Sequence, residues 1–298
     1  MAVPKIGLIV VGDEILSGLR QDKHIPATIE RLSARGLHLS WVQMVGDDRE
    51  FLTETLKRSF ASDHIVFSCG GIGGTPDDHT RQAAAQALGR PIVRHPGAVE
   101  LIRQRCEESG QPLDEFRLRM ADFPADASLI PNPYNRIAGF SVGRHHFVPG
   151  FPVMAWPMIE WVLDTIYPEF HHQELEYKKA LLLFNTPEAR ITPVMEQLES
   201  SFPDCKLYSL PSVGDNKLAR HIELGVKARG GVDKKDIVSQ AFIELLKILE
   251  SMQCKFELIV WITERQFQIK KSLPQKRAGF ENSFQEERGD TFTCKRLI

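Results

Sequence analysis

Hydrophobic positions recur in two alternating rhythms over the first 170 residues. Residues 5–11 form a nearly unbroken apolar run, Ile6-Gly7-Leu8-Ile9-Val10-Val11, the pattern of a strand buried on both faces. Residues 25–35 then space Ile25, Ile29 and Leu32 along one helical face, and residues 37–45 alternate with the period of a strand. Residues 48–61 return to helical spacing with Phe51, Leu52, Leu56 and Phe60. Residues 64–69 are apolar and partly β-branched, and residues 81–88 read as an alanine-rich helix. Strands separated by helices predict crossover connections and a mostly parallel sheet covered on both faces. Residues 128–148 break the rhythm, because 138–142 and 145–148 flank Gly143-Arg144 and read as a hairpin ahead of an apolar helix over 151–167.

A second unit begins after Pro168 with a polar connector at 171–174. Strands are predicted at 179–184, 206–211, 219–226 and 255–262, with helices at 187–200 and 233–249. This order describes a small α+β layer of antiparallel strands under helices. From Glu264 the chain becomes polar, with little apolar periodicity. The expected organisation is therefore an α/β domain over 1–170, a small α+β domain over 171–262 and a loosely ordered polar tail over 263–298.

Composition narrows the function class. Of 298 residues, 42% are hydrophobic and 26% charged, with a net charge of −2, which excludes wholesale disorder and collagen-like repeats. A nearly neutral chain lacks the basic face that general nucleic-acid binding requires, so no nucleic-acid partner is expected. Five cysteines (Cys69, Cys106, Cys205, Cys254 and Cys294) stand at wide spacings with no CxxC pair, indicating neither a zinc site nor a disulfide framework. The first apolar run is short, without a basic leader. Residues 151–167 contain Pro152, Pro157, Glu160 and Asp164 and read as a core helix, not a bilayer span. A cytoplasmic location without a membrane partner is expected.

The densest chemical signal is Cys69-Gly70-Gly71-Ile72-Gly73-Gly74-Thr75-Pro76-Asp77-Asp78-His79-Thr80. Four glycines in five positions follow a buried strand and precede a helix, so main-chain N–H groups and a helix N-terminus can face a phosphate or phosphoanhydride. The pattern is neither GxxxxGK[ST] nor GxGxxG, which excludes the ordinary nucleoside-triphosphate and dinucleotide fingerprints. Thr75-Pro76-Asp77-Asp78 also reads as a helix start, with Thr75 as N-cap and Pro76 at N1. Two adjacent carboxylates at an anion loop repel the anion unless one binds a divalent cation or a ligand hydroxyl or amine. Gly12-Asp13-Glu14-Ile15-Leu16-Ser17-Gly18 lies past the carboxyl end of the first strand, the edge where open parallel sheets bind ligands. Asp13 can converge with the Gly70–Asp78 loop if the two strands are neighbours. Asp47, after the next strand, either caps a helix or touches a ligand.

Minor features read as structural. His145-His146 and His171-His172 place adjacent rings on opposite faces of extended chain, which argues against a shared metal. Lys23 and His24 read as a solvated helix start, with phosphate contact as the alternative. Cys69 reads as a small buried residue. Trp156, Trp161, Met154 and Met158 read as core, and the basic residues at 270–277 as a solvated tail.

Three segments together carry a family resemblance: Gly12-Asp13-Glu14-Ile15-Leu16-Ser17-Gly18, Val45-Gly46-Asp47-Asp48 and the Gly70–Thr80 loop. They resemble the molybdopterin-binding domain shared by MoaB and MogA, and more closely the competence/damage-inducible CinA family. Asn132-Pro133, Gly139-Phe140 and Val148-Pro149-Gly150-Phe151-Pro152 are similar to that family's later signature. The resemblance implies a three-layer α/β/α fold. It also implies a pocket for a small phosphorylated pterin or nucleotide (molybdopterin or an adenine nucleotide), lined by Gly12, Ser17, Gly70, Gly71, Gly73, Gly74, Thr75, Asp77, Thr80, Pro149 and Gly150. Asp78 and Asp13 are its implied catalytic and metal-binding acids, with a divalent metal such as Mg²⁺. The implied activities are metal-dependent hydrolysis of an ADP-ribose-type pyrophosphate, adenylyl transfer to molybdopterin, or binding without catalysis. Self-association as dimer or trimer is also implied. Gly74 stands where the family usually has Pro, and Pro76 where it often has His. Asp22-Lys23-His24 replaces Asp-Thr-Asn, Asn135-Arg136-Ile137-Ala138 replaces Gly-Thr-Ala-Pro, and Met154 replaces an acid. Only 49 residues follow Leu249, too few for the C-terminal amidohydrolase domain of longer CinA proteins, so NMN deamidation is not expected.

Overall fold

The first apolar run becomes β1 (Ile6–Val11), and every one of its residues is buried. This geometry comes from a computed structural model that describes residues 3–214, 219–263 and 266–270. The strands β2 (Leu39–Val45) and β3 (Ile65–Cys69) flank β1 in parallel, with Val10 opposite Met44 on one side and Cys69 on the other. The hairpin strands β7 (Gly139–Val142) and β8 (His145–Val148) extend the sheet. Here β8 runs parallel to β3 with Val148 opposite Cys69, while β7 is antiparallel to β8 and pairs in turn with β6 (Ser128–Ile130). The sheet order is therefore β2-β1-β3-β8-β7-β6, while β4 (Ile92–Arg94) and β5 (Asp122–Pro124), with α6 (Glu115–Leu118) between them in the chain, pair antiparallel apart from it. That register brings the carboxyl ends of four parallel strands (Val11, Val45, Cys69 and Val148) to one edge.

Helices cover both faces, as the alternating rhythm predicts. One face carries α2 (His24–Ser33) and α7 (Pro152–Ile166), which bury Leu32, Ala155, Met158, Ile159 and Val162 against Leu8, Ile6 and Phe67. Arg35 clasps Asp164 bidentately at 2.5 and 2.6 Å across this layer. The opposite face carries α3 (Arg49–Phe60), α4 (Thr80–Leu88) and α5 (Pro96–Ser109), burying Leu52, Leu56, Ala83, Ala84, Ile102 and Cys106. Fully burying a Leu, Ile or Phe side chain contributes roughly 1.5–3 kcal/mol, so the central strands hold both layers in place. The fold is the three-layer α/β/α arrangement.

His145 and His146 leave β8 on opposite faces. His145 lies 2.7 Å from Ser59 Oγ beside Phe60, and His146 bridges Ser141 Oγ and the Tyr167 hydroxyl at 2.8 Å each. Burial lowers their pKa values to about 4 and about 3, so both are neutral hydrogen-bonding groups within the core. Met158 is buried as expected, but Trp161 is 36% exposed and does not belong to the core. It occupies the solvent side of α7, while Trp156 packs under the Arg31 guanidinium at 4.7 Å.

The sequence pattern gives no sign of α5. Its buried face is only Ala98, Ile102 and Cys106, one mostly small residue per turn, too narrow for a clear apolar stripe. Its end signals are nevertheless present, in Pro96 at the first turn and Gly110 at the left-handed C-cap (φ 64°).

By residue contacts the chain forms two compact units. One runs to Lys178 and adds Lys227–Val238, and the other combines Lys179–Val226 with the chain from Ser239 onward. A second sheet takes the order β10-β11-β9-β12-β13, formed by β9 (Leu175–Phe184), β10 (Lys206–Ser212), β11 (His221–Gly230), β12 (Lys255–Thr263) and β13 (Gln266–Lys270). Here β12 pairs antiparallel with β9, Lys255 opposite Phe184, and with β13 on its other side. Within the stretch expected as a loosely ordered polar tail, Gln266–Lys270 pairs along β12 as this last strand. The rest of that tail from residue 264, the side chains of the basic cluster at 270–277 and Cys294 lie outside the described residues. No described helix is long and apolar enough to cross a membrane.

Candidate functional site

The four aligned strand ends open into a cleft of about 400 Å³. Of the residues expected to form a site, Gly12, Gly70, Gly71, Gly73, Gly74, Thr75, Asp77, Asp78, Pro149 and Gly150 line it. Asp13, Ser17 and Thr80 are not among its lining residues. Each of the three has a different local reason.

Thr80 works from behind the glycine loop. It is fully buried, its Oγ1 donates to the Gly70 carbonyl at 3.0 Å, and its N–H donates to the Gly71 carbonyl at 2.9 Å. In a trans peptide the carbonyl and the next N–H point in opposite directions. Holding those two carbonyls inward therefore turns the N–H groups of Gly71 and Ile72 away from Thr80. Glycine is required here: Gly70 and Gly71 adopt φ of +110° and +68°, and a Cβ would meet the Val11 carbonyl at 2.3 Å or Thr80 Oγ1 at 2.2 Å. Gly70 N–H donates to the Val148 carbonyl at 3.0 Å, tying the loop to β8. Beyond it, the N–H groups of Gly71, Ile72, Gly73 and Gly74 have no hydrogen-bond acceptor among the described residues.

The expected helix start at Thr75 is corrected. The helix α4 begins at Thr80, with His79 as N-cap residue, and Thr75–Asp78 instead forms a separate turn closed by Asp78 N–H on the Thr75 carbonyl at 3.1 Å. Asp78 Oδ2 accepts from both Thr75 N–H (2.8 Å) and Thr75 Oγ1 (2.5 Å). Thr75 thus donates to Asp78 rather than capping α4, because Thr80 takes the loop carbonyls and sets where the helix can begin.

Asp13 faces Asp47 across the β1–β2 ends. Asp13 N–H donates to Asp47 Oδ2 at 3.0 Å, and Asp47 N–H donates to Asp13 Oδ1 at 3.2 Å. This reciprocal pair keeps the Asp13 carboxylate at the strand ends, so the acids that line the cleft are Glu14, Asp47, Asp77 and Asp78. Burial pushes the Asp47 carboxyl above its ordinary range; the N–H of Asp13 offsets part of that rise, while the carboxylates of Asp13, Glu14 and Asp77 add to it. Asp48, not Asp47, caps α3, accepting from Phe51 N–H at 2.7 Å. Ser17 sits on the exposed turn after α1 (Asp13–Leu16), its N–H on the Asp13 carbonyl at 2.8 Å.

Pro149-Gly150-Phe151 forms the wall beside the glycine loop, with Gly150 against Gly70. His24, expected as part of a solvated helix start, is only 5% exposed, and its Nε2 lies 2.9 Å from the Gly150 carbonyl. Asp22, one residue before the N-cap Lys23, accepts from the N–H groups of His24 and Ile25 at 3.0 Å each and fastens the first turn of α2. Asn132 builds a second wall, donating to Asn135 Oδ1 and the Ile137 carbonyl at 2.8 and 3.0 Å and accepting from Tyr134 N–H at 3.1 Å. Met154 and Asn135 line the cleft as well, joined at 3.4 Å through the thioether. Sequence reasoning missed Arg20, Met120 and Phe151, which reach the cleft from turns whose position only the fold defines. Cys69 is fully buried and its thiol is pushed well above the ordinary range, which fits the inert reading.

No three His, Cys, Asp or Glu side chains converge to hold a metal among the described residues. The acids on the cleft instead suit a hard divalent cation held by one or two carboxylates and completed by phosphate oxygens and water.

A family model described as a probable molybdopterin binding domain matches residues 7–172. A CinA-like protein from Anaeromyxobacter dehalogenans is 32% identical over 201 residues, covering 64% of this chain and 49% of the relative. The chain thus spans about half the length of that curated relative. A protein from Aeropyrum pernix is 29% identical over 254 residues, covering 84% of this chain and 92% of its own. Among solved structures, that of CinA from Thermoplasma acidophilum, described as of unknown function, is 26% identical with a TM-score of 0.49, covering 54% of this chain and 98% of that one.

Proposed function

The chain belongs, through residues 7–172, to the family of probable molybdopterin-binding domains, in a form of CinA type, and from that premise we propose that the cleft binds a phosphorylated pterin or an adenine nucleotide through its phosphate chain. The observation that carries this reading is the row of four unpaired N–H groups, Gly71 to Gly74, on an edge where four parallel strands end. Backbone amides fixed in direction bind phosphate oxygens without reorganising, and they stabilise negative charge that develops on those oxygens. Asp77 and Asp78 are then placed to meet a ligand hydroxyl, amine or cation, and Phe151 offers an exposed ring beside Gly150.

Hydrolysis of a phosphoanhydride is the finer reading, supported by the carboxylates Glu14, Asp47, Asp77 and Asp78 on the wall of an anion cleft. Such a set repels a polyanion unless a cation accompanies it. A bound Mg²⁺ supplies charge neutralisation and Lewis acidity to the phosphoryl oxygens. The chain's own contribution is to hold those oxygens on the loop amides while Asp78 stays fixed by Thr75. With ADP-ribose as substrate, water adds across the P–O–P bridge to give AMP and ribose 5-phosphate.

Thermal melting and calorimetry with adenosine, AMP, ADP and ADP-ribose, with and without Mg²⁺, test both levels. Binding follows the phosphate chain: ADP and ADP-ribose raise the melting temperature and adenosine does not. AMP release from ADP-ribose that requires Mg²⁺ and is abolished in Asp78→Ala supports hydrolysis. Binding without release leaves a cofactor-binding module. Absence of any phosphate-dependent shift removes the reading altogether.

A further inference from the structure

Arg81, the second residue of α4, is only 3% exposed and lies beneath the glycine loop. Its Nη2 donates to the Gly73 carbonyl and its Nη1 to the Arg119 carbonyl, while the buried Nε–H has no acceptor. No carboxylate is hydrogen-bonded to this guanidinium among the described residues. Burial lowers its pKa, and the carboxylates close enough to oppose that fall, Asp78 and Asp122, are engaged elsewhere. Asp78 Oδ2 accepts from Thr75, and Asp122 pairs with Arg94 at 2.8 and 3.1 Å.

A buried cation held by neutral carbonyls is a costly arrangement, and an apolar side chain of the same volume would fill this space at lower cost. Two features of its placement point to what the charge is for. The carbonyl it grips belongs to the Gly73–Gly74 peptide, so by the trans geometry used above for Thr80 it turns the Gly74 N–H away from Arg81. Thr80 and Arg81 are consecutive, and between them they hold the carbonyls of Gly70, Gly71 and Gly73. They thereby fix the outward N–H groups of Gly71, Ile72 and Gly74.

We propose that Arg81 is a positioning residue of the anion cleft: it orients the Gly74 amide through the Gly73 carbonyl, and its charge, hydrogen-bonded to no carboxylate among the described residues, is complemented by a phosphoryl dianion bound on the opposite side of the loop. This rests on the phosphate-binding reading above. Arg81 does not touch the ligand; it acts through the loop peptide and through its field, which a desolvated setting screens weakly. It also ties the loop to the segment carrying Arg119, next to the cleft-lining Met120.

The test is calorimetric titration of the full chain with inorganic pyrophosphate and ADP across pH 6 to 8, alongside thermal melting without ligand. The variants are Arg81→Gln, which keeps donors for the carbonyls and loses the charge, and Arg81→Lys, which keeps the charge. Wild-type affinity rises as pyrophosphate loses its later protons. Arg81→Gln weakens binding by about tenfold or more and flattens that rise, with a ligand-free melting temperature at or above wild type; Arg81→Lys restores most of the affinity and the slope. Equal binding by Arg81→Gln and wild type overturns the proposal, as does equal loss in both variants with the pH slope unchanged. Should Arg81→Gln fail to fold, Arg81→Lys decides alone: wild-type slope and affinity support the charge role, and a tenfold loss overturns it. Failure of wild type to bind either probe overturns the phosphate reading itself, a separate outcome.

Discussion

The two halves of the strand-end edge carry nearly the same words in sequence and use them oppositely. At β1 and β2 the chain reads Gly12-Asp13 and Gly46-Asp47, and there the amides are consumed: Gly12 N–H goes to the Val45 carbonyl, and Asp13 and Asp47 exchange N–H groups and carboxylates. At β3 the chain reads Gly70-Gly71-Ile72-Gly73-Gly74, and four successive amides remain unpaired, three of them (Gly71, Ile72 and Gly74) because Thr80 and Arg81 draw the preceding carbonyls to the other side. A glycine after a strand is therefore not itself a binding feature. What decides is whether neighbouring side chains satisfy the amides or the carbonyls.

The largest effect expected from breaking this contrast is at Gly71. Gly71→Ala puts a Cβ within 2.2 Å of Thr80 Oγ1 at a left-handed φ. It should cost about 2–3 kcal/mol in denaturant unfolding and remove the phosphate-dependent thermal shift. Gly18→Ala, also at positive φ but with open space around its Cβ, serves as the control that loses stability without losing that shift.

A smaller effect is expected at the self-satisfied half. Asp13→Ala and Asp47→Ala should each destabilise, and a double-mutant cycle should return a coupling of about 1 kcal/mol, because each mutation removes one arm of the same exchange. Pyrophosphate affinity in Asp13→Ala should stay within about twofold of wild type, since the carboxylate is held by Asp47 and does not line the cleft. A tenfold loss there would put Asp13 back among the binding groups.

The smallest effect is a matter of pH. Burial and neighbouring carboxylates raise the Asp47 pKa in the folded state, so the folded protein binds a proton there more readily than the unfolded chain. Its contribution therefore destabilises at neutral pH and is relieved as pH falls through the raised value toward the ordinary one near 3.8. Urea unfolding of Asp47→Asn should show this segment of the profile flattened. The buried His145 and His146 work with the opposite consequence: lowered to about 4 and about 3, they withhold protons that the unfolded chain takes up below the ordinary 6.5. Stability is thus lost from that point downward, and the two contributions separate only in the Asp47→Asn comparison.

Much of this was legible in the chain. The apolar runs of β1 and β3, the alternation over β2 and the Gly143-Arg144 turn carry the parallel sheet and its hairpin, because period and turn chemistry are local properties. The glycine loop announced itself by composition, and its position after a buried strand placed it on the carboxyl edge. Long-range partners were not legible. Thr75-Pro76-Asp77-Asp78 has the composition of a helix start, yet Asp78 holds Thr75, because Thr80, ten residues from Gly70, captures the loop carbonyls. His24 looked solvated until the Gly150 carbonyl, 126 residues away, gave it a partner.

The sequence by itself determined most of the elements, their order and the presence of a glycine-rich loop after a buried strand, since these follow from spacing between near neighbours and from the backbone freedom of glycine. Tertiary structure alone decided which acids face the cleft, which way each loop amide points and why an arginine is buried beneath it. Those outcomes depend on hydrogen bonds between residues 8 to 38 positions apart, and their direction exists only once the strands are in register.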